Sequence, residues 1–407
     1  MLIKRNAKGW YGVRAVTWAL TFWLALAGGP ANVFAAEGSP WIDAEVLSTR
    51  SEGLGAWAGH VNHTAEIRDA NIYCGTPYTI EYRVCTDKSH NGKVGPLYDG
   101  GYIGMPGPSG ANWYYQGFLQ IAINGRDIGT TPISSMVVAE NDRRAIVDMV
   151  WHDEAADLRL RFLVLPYHDN LFTEISLDPK QEINSVQLTL KCYPSGFPSY
   201  ENRVGARRIK TPSVLLKPEP ERWETVSAGD NWWCVYYDEI YDVANRQGDG
   251  PCGLLVLPEE VKEFSLLVGG YMMQTNLTYP AGTRRIRLAL WDFTGRTNAD
   301  VLERMKVRAP VIRRELAAMD FTPEAVKKTD LAALRADLQR AAVLPILQKS
   351  FGPRIAEAQT ALDQYTVWLA DHALIKGIEA EERLLQMLDK CRAIIPQIQL
   401  AELLEKL

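Results

Sequence analysis

The sequence predicts a mainly β protein: a large antiparallel two-sheet sandwich followed by a C-terminal α-helical hairpin or small bundle. Three observations lead to this prediction. Apolar and polar residues alternate along many short segments between Trp41 and Phe293, polar turns separate those segments, and from Thr297 onward apolar residues recur at helical spacing. We therefore expect a β-sandwich domain over residues 36–296 and a helical domain over residues 297–407.

Residues 1–35 have the features of a secretory signal peptide. Four basic residues and no acidic residue precede Glu37, an apolar run covers Ala15–Ala27, and small or apolar residues before position 36 offer a cleavage site. The run is shorter than the about 20 apolar residues that span a bilayer. The sequence predicts export to the periplasm or the extracellular space, with an uncleaved N-terminal anchor as the alternative.

The charge of the chain argues against one class of partner. The whole sequence has 44 basic and 49 acidic residues, a net charge of −5, and removing the four basic residues of the predicted signal peptide leaves 40 against 49, or −9. A nucleic-acid binder usually carries a basic patch or stripe. We expect no nucleic-acid partner, and no membrane-spanning segment in the mature chain.

The strands themselves can be placed in part. Leu158–Pro166 and Val186–Tyr193 alternate apolar and polar residues, and Ala145–Pro179 has the pattern of three consecutive antiparallel strands. Asn124 and Gly125 form the dipeptide typical of a two-residue hairpin turn. These segments have no helical pattern between them, which favours an antiparallel sandwich.

Two long irregular segments, Lys88–Asn112 and Pro194–Trp223, interrupt the predicted strands. Ordered loops of this length are often functional. The second segment gathers basic residues near Glu201 that are predicted to bind substrate through a carboxylate or sulfate group. These residues are Arg203, Arg207 and Arg208. The alternative is a solvated loop that makes surface ion pairs.

The helical region has recognisable boundaries. Thr297 or Asn298 is a plausible cap of its first helix, and Thr322 is a plausible cap of the next, with proline at the first helical position. Pro345 should end or kink a helix. Its apolar stripe is more often core than partner surface, although a protein partner that binds the helices stays open.

Six cysteines lie beyond the predicted signal peptide. In an oxidising compartment cysteines tend to pair, so Cys74 is predicted to bridge Cys85, and Cys234 to bridge Cys252. The sequence does not decide whether the other two pair. No CxxC spacing occurs, and we predict neither a metal site nor a cofactor.

The stretch Asp230–Gly253 is rich in aromatic and acidic residues and is the strongest candidate for a sugar platform. On a strand, Trp232, Tyr236 and Asp238 would share one face with Cys234. That face suits a partly exposed surface on which a sugar ring could stack, whereas ordinary core packing is the alternative.

Catalytic candidates are weaker. Sugar chemistry often needs a pair of acid–base groups at close range, and Glu201 beside an arginine, or Glu239 with His168, would provide one if the fold brings the groups together. The sequence cannot show this proximity, and whether the protein is an enzyme stays open.

The succession of Val150–Pro179 and Val186–Phe197, together with the size of the strand region, resembles the galactose mutarotase-like supersandwich. That fold occurs in sugar mutarotases, polysaccharide lyases and several glycoside hydrolases. The resemblance implies a carbohydrate ligand, and family mutarotases use a glutamate base and histidines on the concave sheet face. We expect an exported carbohydrate-binding protein, and activity on the carbohydrate stays open. The alternative is a non-catalytic envelope or extracellular scaffold whose helical domain binds a protein.

Overall fold

The computed structural model describes residues 38–53, 63–87, 100–194, 206–239, 250–270, 272–371 and 377–405. Within these residues the chain forms two antiparallel sheets and a C-terminal group of helices. The predicted fold class is confirmed.

One sheet has eleven strands in the described residues, and nine of them follow the order β1-β3-β4-β5-β6-β12-β19-β18-β15, with β2 paired to β3 and β7 paired to β6. Its strands are β1 (Asp43–Val46), β2 (Arg50–Gly53), β3 (His63–Tyr73), β4 (Pro77–Asp87), β5 (Gly100–Gly107), β6 (Leu119–Ile123), β7 (Arg126–Asp127), β12 (Val186–Cys192), β15 (Glu224–Val226), β18 (Glu263–Val268) and β19 (Met273–Tyr279).

The other sheet has nine strands in the described part of the chain, in the order β14-β13-β16-β17-β20-β11-β10-β9-β8. Its strands are β8 (Ile133–Asn141), β9 (Ala145–His152), β10 (Ala156–Val164), β11 (Leu171–Pro179), β13 (Arg207–Lys210), β14 (Leu215–Leu216), β16 (Trp233–Asp238), β17 (Cys252–Val256) and β20 (Arg285–Asp292). The three consecutive strands predicted between residues 145 and 179 are β9, β10 and β11.

The two sheets enclose the main hydrophobic core. Strand β10 shows how the sequence builds it, because Leu158, Leu160 and Phe162 point between the sheets while Arg159 and Arg161 point to the other side. At about 25 cal/mol per Å², burying such side chains supplies most of the driving force for the sandwich.

The predicted hairpin between β6 and β7 is confirmed. Asn124 and Gly125 have φ values of 51° and 81°, and β6 pairs directly with β7. Positive φ at both central residues defines the turn that matches strand twist, and asparagine and glycine tolerate it best.

Both segments predicted as irregular contain strands where the structure describes them. Residues 100–107 form β5, and residues 207–210 and 215–216 form β13 and β14. Gly104 explains the first error: a Cβ there would lie 1.8 Å from the carbonyl oxygen of Tyr115, so this strand needs glycine for close backbone contact. Residues 88–99 and 195–205 of these segments lie outside the described part of the chain.

Six helices lie C-terminal to the strands in the described residues: α1 (Asn298–Ala318), α2 (Glu324–Lys328), α3 (Leu331–Val343), α4 (Pro345–Asp371), α5 (Ile378–Arg392) and α6 (Ile395–Leu404). None of them combines the length and the hydropathy needed to cross a bilayer.

The helix boundaries follow the sequence with one exception. Thr297 caps α1 by accepting a hydrogen bond from the backbone of Asp300, at 3.2 Å, and Pro345 separates α3 from α4. The cap of α2 is Pro323, not Thr322, and it makes no side-chain hydrogen bond. The prediction was therefore displaced by one residue.

The helices cover one face of the nine-stranded sheet. Helix α1 inserts apolar side chains at helical spacing, among them Val301, Met305 and Ile312, against Trp233 and Trp291 of the sheet. Helices α3 to α6 share a separate apolar cluster. The sheet strands that the helices contact most belong to this sheet, and they are β8, β10, β11, β16, β17 and β20.

Candidate functional site

A row of polar side chains crosses the outward face of the eleven-stranded sheet. The inward positions of β12 and β19 are apolar core residues except for Thr275, so the alternate positions point away from the core. Thr189 lies opposite both Gln120 and Asn276, Ser265 lies opposite Asn276, and Thr225 lies opposite Ser265. These five residues, on β6, β12, β19, β18 and β15, are called the polar row below.

The polar row is accessible along most of its length. Thr225 is exposed, Gln120, Thr189 and Asn276 are half-buried, and Ser265 is buried. The helices pack on the other sheet, as described above. Neighbouring strands are about 4.8 Å apart, so the row offers a polar side chain at regular intervals across five adjacent strands.

Hydrogen bonds hold several of these side chains in place. Thr189 Oγ1 donates to Asn276 Oδ1 at 2.8 Å, the hydroxyls of Thr225 and Ser265 lie 2.9 Å apart, and Gln120 Nε2 donates to the carboxylate of Asp127. Among the described residues, the Asn276 amide nitrogen donates to no other group. The row therefore combines ordered side chains with hydrogen-bonding capacity that remains available.

A cluster of four charged side chains lies on the same sheet. Arg83 Nε donates to Glu81 Oε1 at 2.7 Å, and Arg50 Nη1 donates to Asp69 Oδ2 at 2.5 Å. Asp69 lies directly opposite Glu81, and Arg83 lies opposite Tyr102 of β5, the strand between β4 and β6. The four residues, called the charged cluster, are thus separated from the polar row by strand β5.

Glu81 is nearly buried, with 3% of its side chain exposed. Burial raises its pKa, the neighbouring carboxylate of Asp69 raises it further, and Arg83 opposes both effects. The cluster can therefore hold a proton at a pH where an ordinary glutamate is ionised.

The residues predicted as a sugar platform lie inside the protein. Tyr236 is 1% exposed, and its hydroxyl contacts Thr275 Oγ1 and the thiol of Cys234 within the core between the sheets. Asp238 is fully buried on the same face of β16, and Asn298 Nδ2 donates to its backbone oxygen at 2.5 Å. The expectation of a partly exposed face is wrong, because the eleven-stranded sheet covers it.

Trp232, the third member of the predicted platform, precedes β16 and is half-buried. The guanidinium carbon of Arg313, on helix α1, lies 5.1 Å from the centre of its ring. This cation–π contact already occupies one face of the indole. Binding of substrate by Trp232 stays a prediction.

The predicted arginine clamp is divided between two faces of β13. Arg207 is fully buried, opposite Asp238, with its guanidinium carbon 4.6 Å from the centre of the Tyr193 ring. Arg208 points the other way and pairs with Glu239, at 2.5 Å between Nη2 and Oε2. Successive residues of a strand face opposite sides, so these two arginines cannot bind the same carboxylate or sulfate group. Arg203 and Glu201 lie outside the described residues.

His168 and Glu239 have different partners. His168 Nε2 lies 2.9 Å from Glu315 Oε2 of helix α1, and its Nδ1 lies 2.9 Å from the backbone oxygen of Pro166. Glu239 is held by Arg208, as described above. The contacts of the described residues thus do not join the two predicted catalytic groups, and their catalytic roles stay predictions.

The predicted disulfides are absent from this structure, in which all six cysteines are buried thiols. Tyr73 pairs with Pro77 at the turn between β3 and β4, and Cys85 lies eight residues beyond Pro77 on β4, roughly 26 Å away along the strand. A disulfide needs Cα atoms within about 7 Å. The prediction of a bridge from Cys74 to Cys85 is therefore wrong.

The prediction of a bridge from Cys234 to Cys252 is also wrong, for a different reason. Cys234 lies opposite Leu254, and Cys252 lies opposite Tyr236, so the two cysteines are diagonal neighbours on adjacent strands. The thiol of Cys252 instead donates to the backbone oxygen of Asn112 at 3.5 Å. The pairing of β16 with β17 holds the two cysteines in these positions without a disulfide.

The sequence carries a local signal for the polar row. Glutamine, asparagine or threonine occupies most outward positions of the segments Leu119–Ile123, Val186–Cys192 and Met273–Tyr279, the exceptions being Ala122 and Lys191. Outward positions of strands are often charged, and a concentration of amides and hydroxyls on three strands is a different pattern. The register that joins Thr189 to Asn276 could not be inferred locally.

No protein-family model and no curated protein sequence matches this chain. Solved structures similar to it include a protein assigned as an aldose 1-epimerase from Klebsiella pneumoniae subsp. pneumoniae. It is 10% identical, has a TM-score of 0.35, and the match covers 68% of this chain and 95% of that one.

Two larger proteins are also similar in part. The α-N-acetylgalactosaminidase of Bifidobacterium bifidum is 10% identical with a TM-score of 0.35, over 65% of this chain and 39% of that one. The heparan sulfate lyase of Pedobacter heparinus is 8% identical with a TM-score of 0.29, over 53% and 33%. This chain thus matches well under half of either protein. Likenesses this weak do not say what this chain binds.

Proposed function

We propose that the protein binds carbohydrate on the outward face of the eleven-stranded sheet. The observation that supports this proposal is the polar row, whose amides and hydroxyls are ordered, accessible and spaced across five strands. Sugar hydroxyls both donate and accept hydrogen bonds, so a surface of Thr, Asn and Gln side chains can satisfy them without a formal charge.

The alternation of the sheet supports a binding surface for an extended ligand. A ligand that runs across the strands meets a new side chain about every 4.8 Å. Individual hydrogen bonds to neutral groups contribute only about 0.5–1.5 kcal/mol each. Useful affinity therefore requires several of them at once, which favours an oligosaccharide or polysaccharide over a single sugar.

The proposal is tested by retention of the full chain on a panel of immobilised neutral and acidic polysaccharides. Gln120→Ala and Asn276→Ala should each weaken retention by about two- to tenfold, as expected for one hydrogen bond. Gln399→Ala, an exposed amide on helix α6, is the matched control and should bind as the wild type does. Failure of every polysaccharide to retain the protein would refute the proposal.

Catalysis would be a further step. The charged cluster provides two carboxylates, and the raised pKa of Glu81 suits a group that exchanges protons. Release of unsaturated or shortened sugars during the retention assay, abolished in Glu81→Gln, would make the protein an enzyme. Retention without any product would make it a binding protein alone.

Export is part of the proposal. Residues 1–35 have the pattern of a signal peptide, and polysaccharides are common ligands outside the cytoplasm. The protein recovered from the periplasm or the medium of an expressing bacterium should begin near residue 36. Recovery only in the cytoplasm, with the N-terminus intact, would contradict export.

A second candidate is a scaffold whose helices bind a protein. Two observations favour it: helices α1 and α5 cover the nine-stranded sheet, and α6 exposes three leucines. These are Leu400, Leu403 and Leu404. A photo-crosslinker placed at Leu403 should join one defined protein, and Leu400→Glu should abolish that product. No crosslink in the native cell would remove this candidate.

A further inference from the structure

Lys191 lies beside the polar row on strand β12. It follows Thr189 by two residues on the same outward face, about 7 Å along the strand, and it is opposite Gln274 of β19. Its backbone donates to the carbonyl of Phe118 at 2.8 Å and accepts from the N–H of Tyr114 at 3.2 Å. The main chain on both sides of this lysine is therefore fixed.

Residue Lys191 is half-buried, and its ammonium group makes no hydrogen bond or ion pair with any described residue. The opposite charge that acts on it is Asp127. That carboxylate already accepts from Gln120 Nε2, and from the backbone N–H of Gly129 at 2.9 Å. Asp127 is therefore engaged elsewhere.

Such an ammonium group has lost part of its hydration without gaining a partner. Burial lowers the pKa of Lys191, and the attraction of Asp127 only partly opposes this effect. Removing a charge from water is costly unless a counter-charge compensates. An anion bound at this position would supply the compensation.

We propose that the carbohydrate ligand is acidic and that its anionic group, a carboxylate or a sulfate, binds the ammonium group of Lys191. This proposal rests on the carbohydrate-binding function proposed above. The polar row then binds hydroxyls of the same ligand, because Thr189 and Lys191 are neighbours on one face of β12. An amide–hydroxyl row beside a single lysine suits a glycan with one charged group among several neutral hydroxyls.

The net charge of the protein excludes non-specific attraction as a reason for binding an acidic glycan. The chain carries −5 overall, so its long-range field repels polyanions. Binding of an acidic polymer must therefore come from a local contact. Binding of the acidic polymer should therefore be weakened by Lys191→Gln and not by substitution of another lysine on the same sheet.

The test compares matched pairs of polymers by affinity electrophoresis of the full chain. The first pair is polygalacturonate and its methyl ester, and the second is dextran sulfate and dextran. At least one acidic member should bind about tenfold more tightly than its neutral counterpart, and the pair that does so identifies carboxylate or sulfate. Lys191→Gln should remove this difference while leaving the affinity for the neutral member unchanged.

Lys262→Gln is the matched control, because Lys262 is an exposed lysine just before β18 of the same sheet. It removes the same charge and should leave the tenfold preference intact. Equal affinity for acidic and neutral members, or an equal effect of both variants, would overturn the anionic subsite and leave carbohydrate binding standing. If the panel of polysaccharides and both polymer pairs all fail to bind, the proposed function falls and this inference falls with it.

Discussion

His152 of strand β9 and Glu382 of helix α5 form a contact of 2.8 Å between Nε2 and Oε2. The other ring nitrogen of His152 lies 2.7 Å from Asp157 Oδ1, and that carboxylate also pairs with Lys180 at 2.6 Å. Ser134 Oγ donates to the second oxygen of Glu382 at 2.6 Å. This network joins the helical region to the nine-stranded sheet through a group that titrates near neutral pH.

The network predicts that stability falls as the pH rises. Burial alone would lower the pKa of His152, but the hydrogen bonds to Asp157 and Glu382 outweigh it and raise the pKa. A group with a raised pKa in the folded state stabilises fully below its unfolded pKa, about 6.5 for histidine. That contribution is lost as the pH rises through the raised value.

Urea unfolding of the wild type and of His152→Gln checks this prediction. The difference in unfolding free energy between the two should be largest near pH 5.5 and should shrink by pH 8.5. Glu382→Gln removes one of the two carboxylates and should flatten the pH dependence. A difference that stays constant, or that grows with pH, would show that His152 is not charged in the folded protein.

A buried ion pair in the same interface predicts a larger effect. Arg161 and Asp148 are each 1% exposed and are joined by two hydrogen bonds of 2.5 Å, and Arg161 also donates to the backbone oxygen of Phe321 at 2.9 Å. Asp148→Ala removes both hydrogen bonds and leaves only Glu381, whose Oε2 lies 3.8 Å from Arg161 Nη2, as a nearby counter-charge. We expect a loss of about 3–5 kcal/mol in unfolding free energy.

The exposed pair Arg335 and Asp363 provides the control. Its side chains are 42% and 62% exposed, and Asp363→Ala should cost at most about 1 kcal/mol. Chemical unfolding followed by circular dichroism measures both losses. Equal losses for Asp148→Ala and Asp363→Ala would show that the pair at Asp148 is hydrated in solution.

Strand β16 shows how far the sequence can lead. Alternation correctly separates Cys234, Tyr236 and Asp238 from the other face of the strand, because this pattern is a property of the local backbone. It does not show that both faces are covered, one by the eleven-stranded sheet and the other by helix α1. Those contacts come from residues far away in the chain, such as Met305.

The polar row was hidden for the same reason. Thr189 and Asn276 are 87 positions apart and meet only because β12 and β19 are neighbours in register. The outward position of each residue follows from its own strand, whereas their pairing depends on the order of the strands. Sequence reasoning could therefore find the polar faces but could not assemble them into a site.

The burial of Tyr236 predicts that its substitution changes stability and not binding. Tyr236→Ala removes a large side chain from the core and should cost about 3–5 kcal/mol, whereas Tyr236→Phe removes only the hydroxyl and should cost about 1 kcal/mol. Both values are measured by urea unfolding. Carbohydrate retention by folded Tyr236→Phe should equal that of the wild type, and a loss of retention without a loss of stability would restore the platform hypothesis.

The cysteines give a prediction that also tests the strand register. All six are buried, and burial raises the pKa of Cys74 to about 12 and that of Cys391 to about 11, so these two thiols form almost no reactive thiolate at pH 8. The native protein should therefore react very slowly with a maleimide. Denaturation without a reductant should expose six reactive thiols, which mass spectrometry can count.

The thiol count is most informative on protein purified from an oxidising compartment, where disulfides can form. Cys74 and Cys85 are held apart by the length of β4, so the folded chain cannot join them without breaking the pairing with β3. Recovery of a peptide that links Cys74 to Cys85 would mean that the register of these strands is wrong. Six labelled cysteines would instead show that packing and strand pairing hold the sandwich together without covalent cross-links.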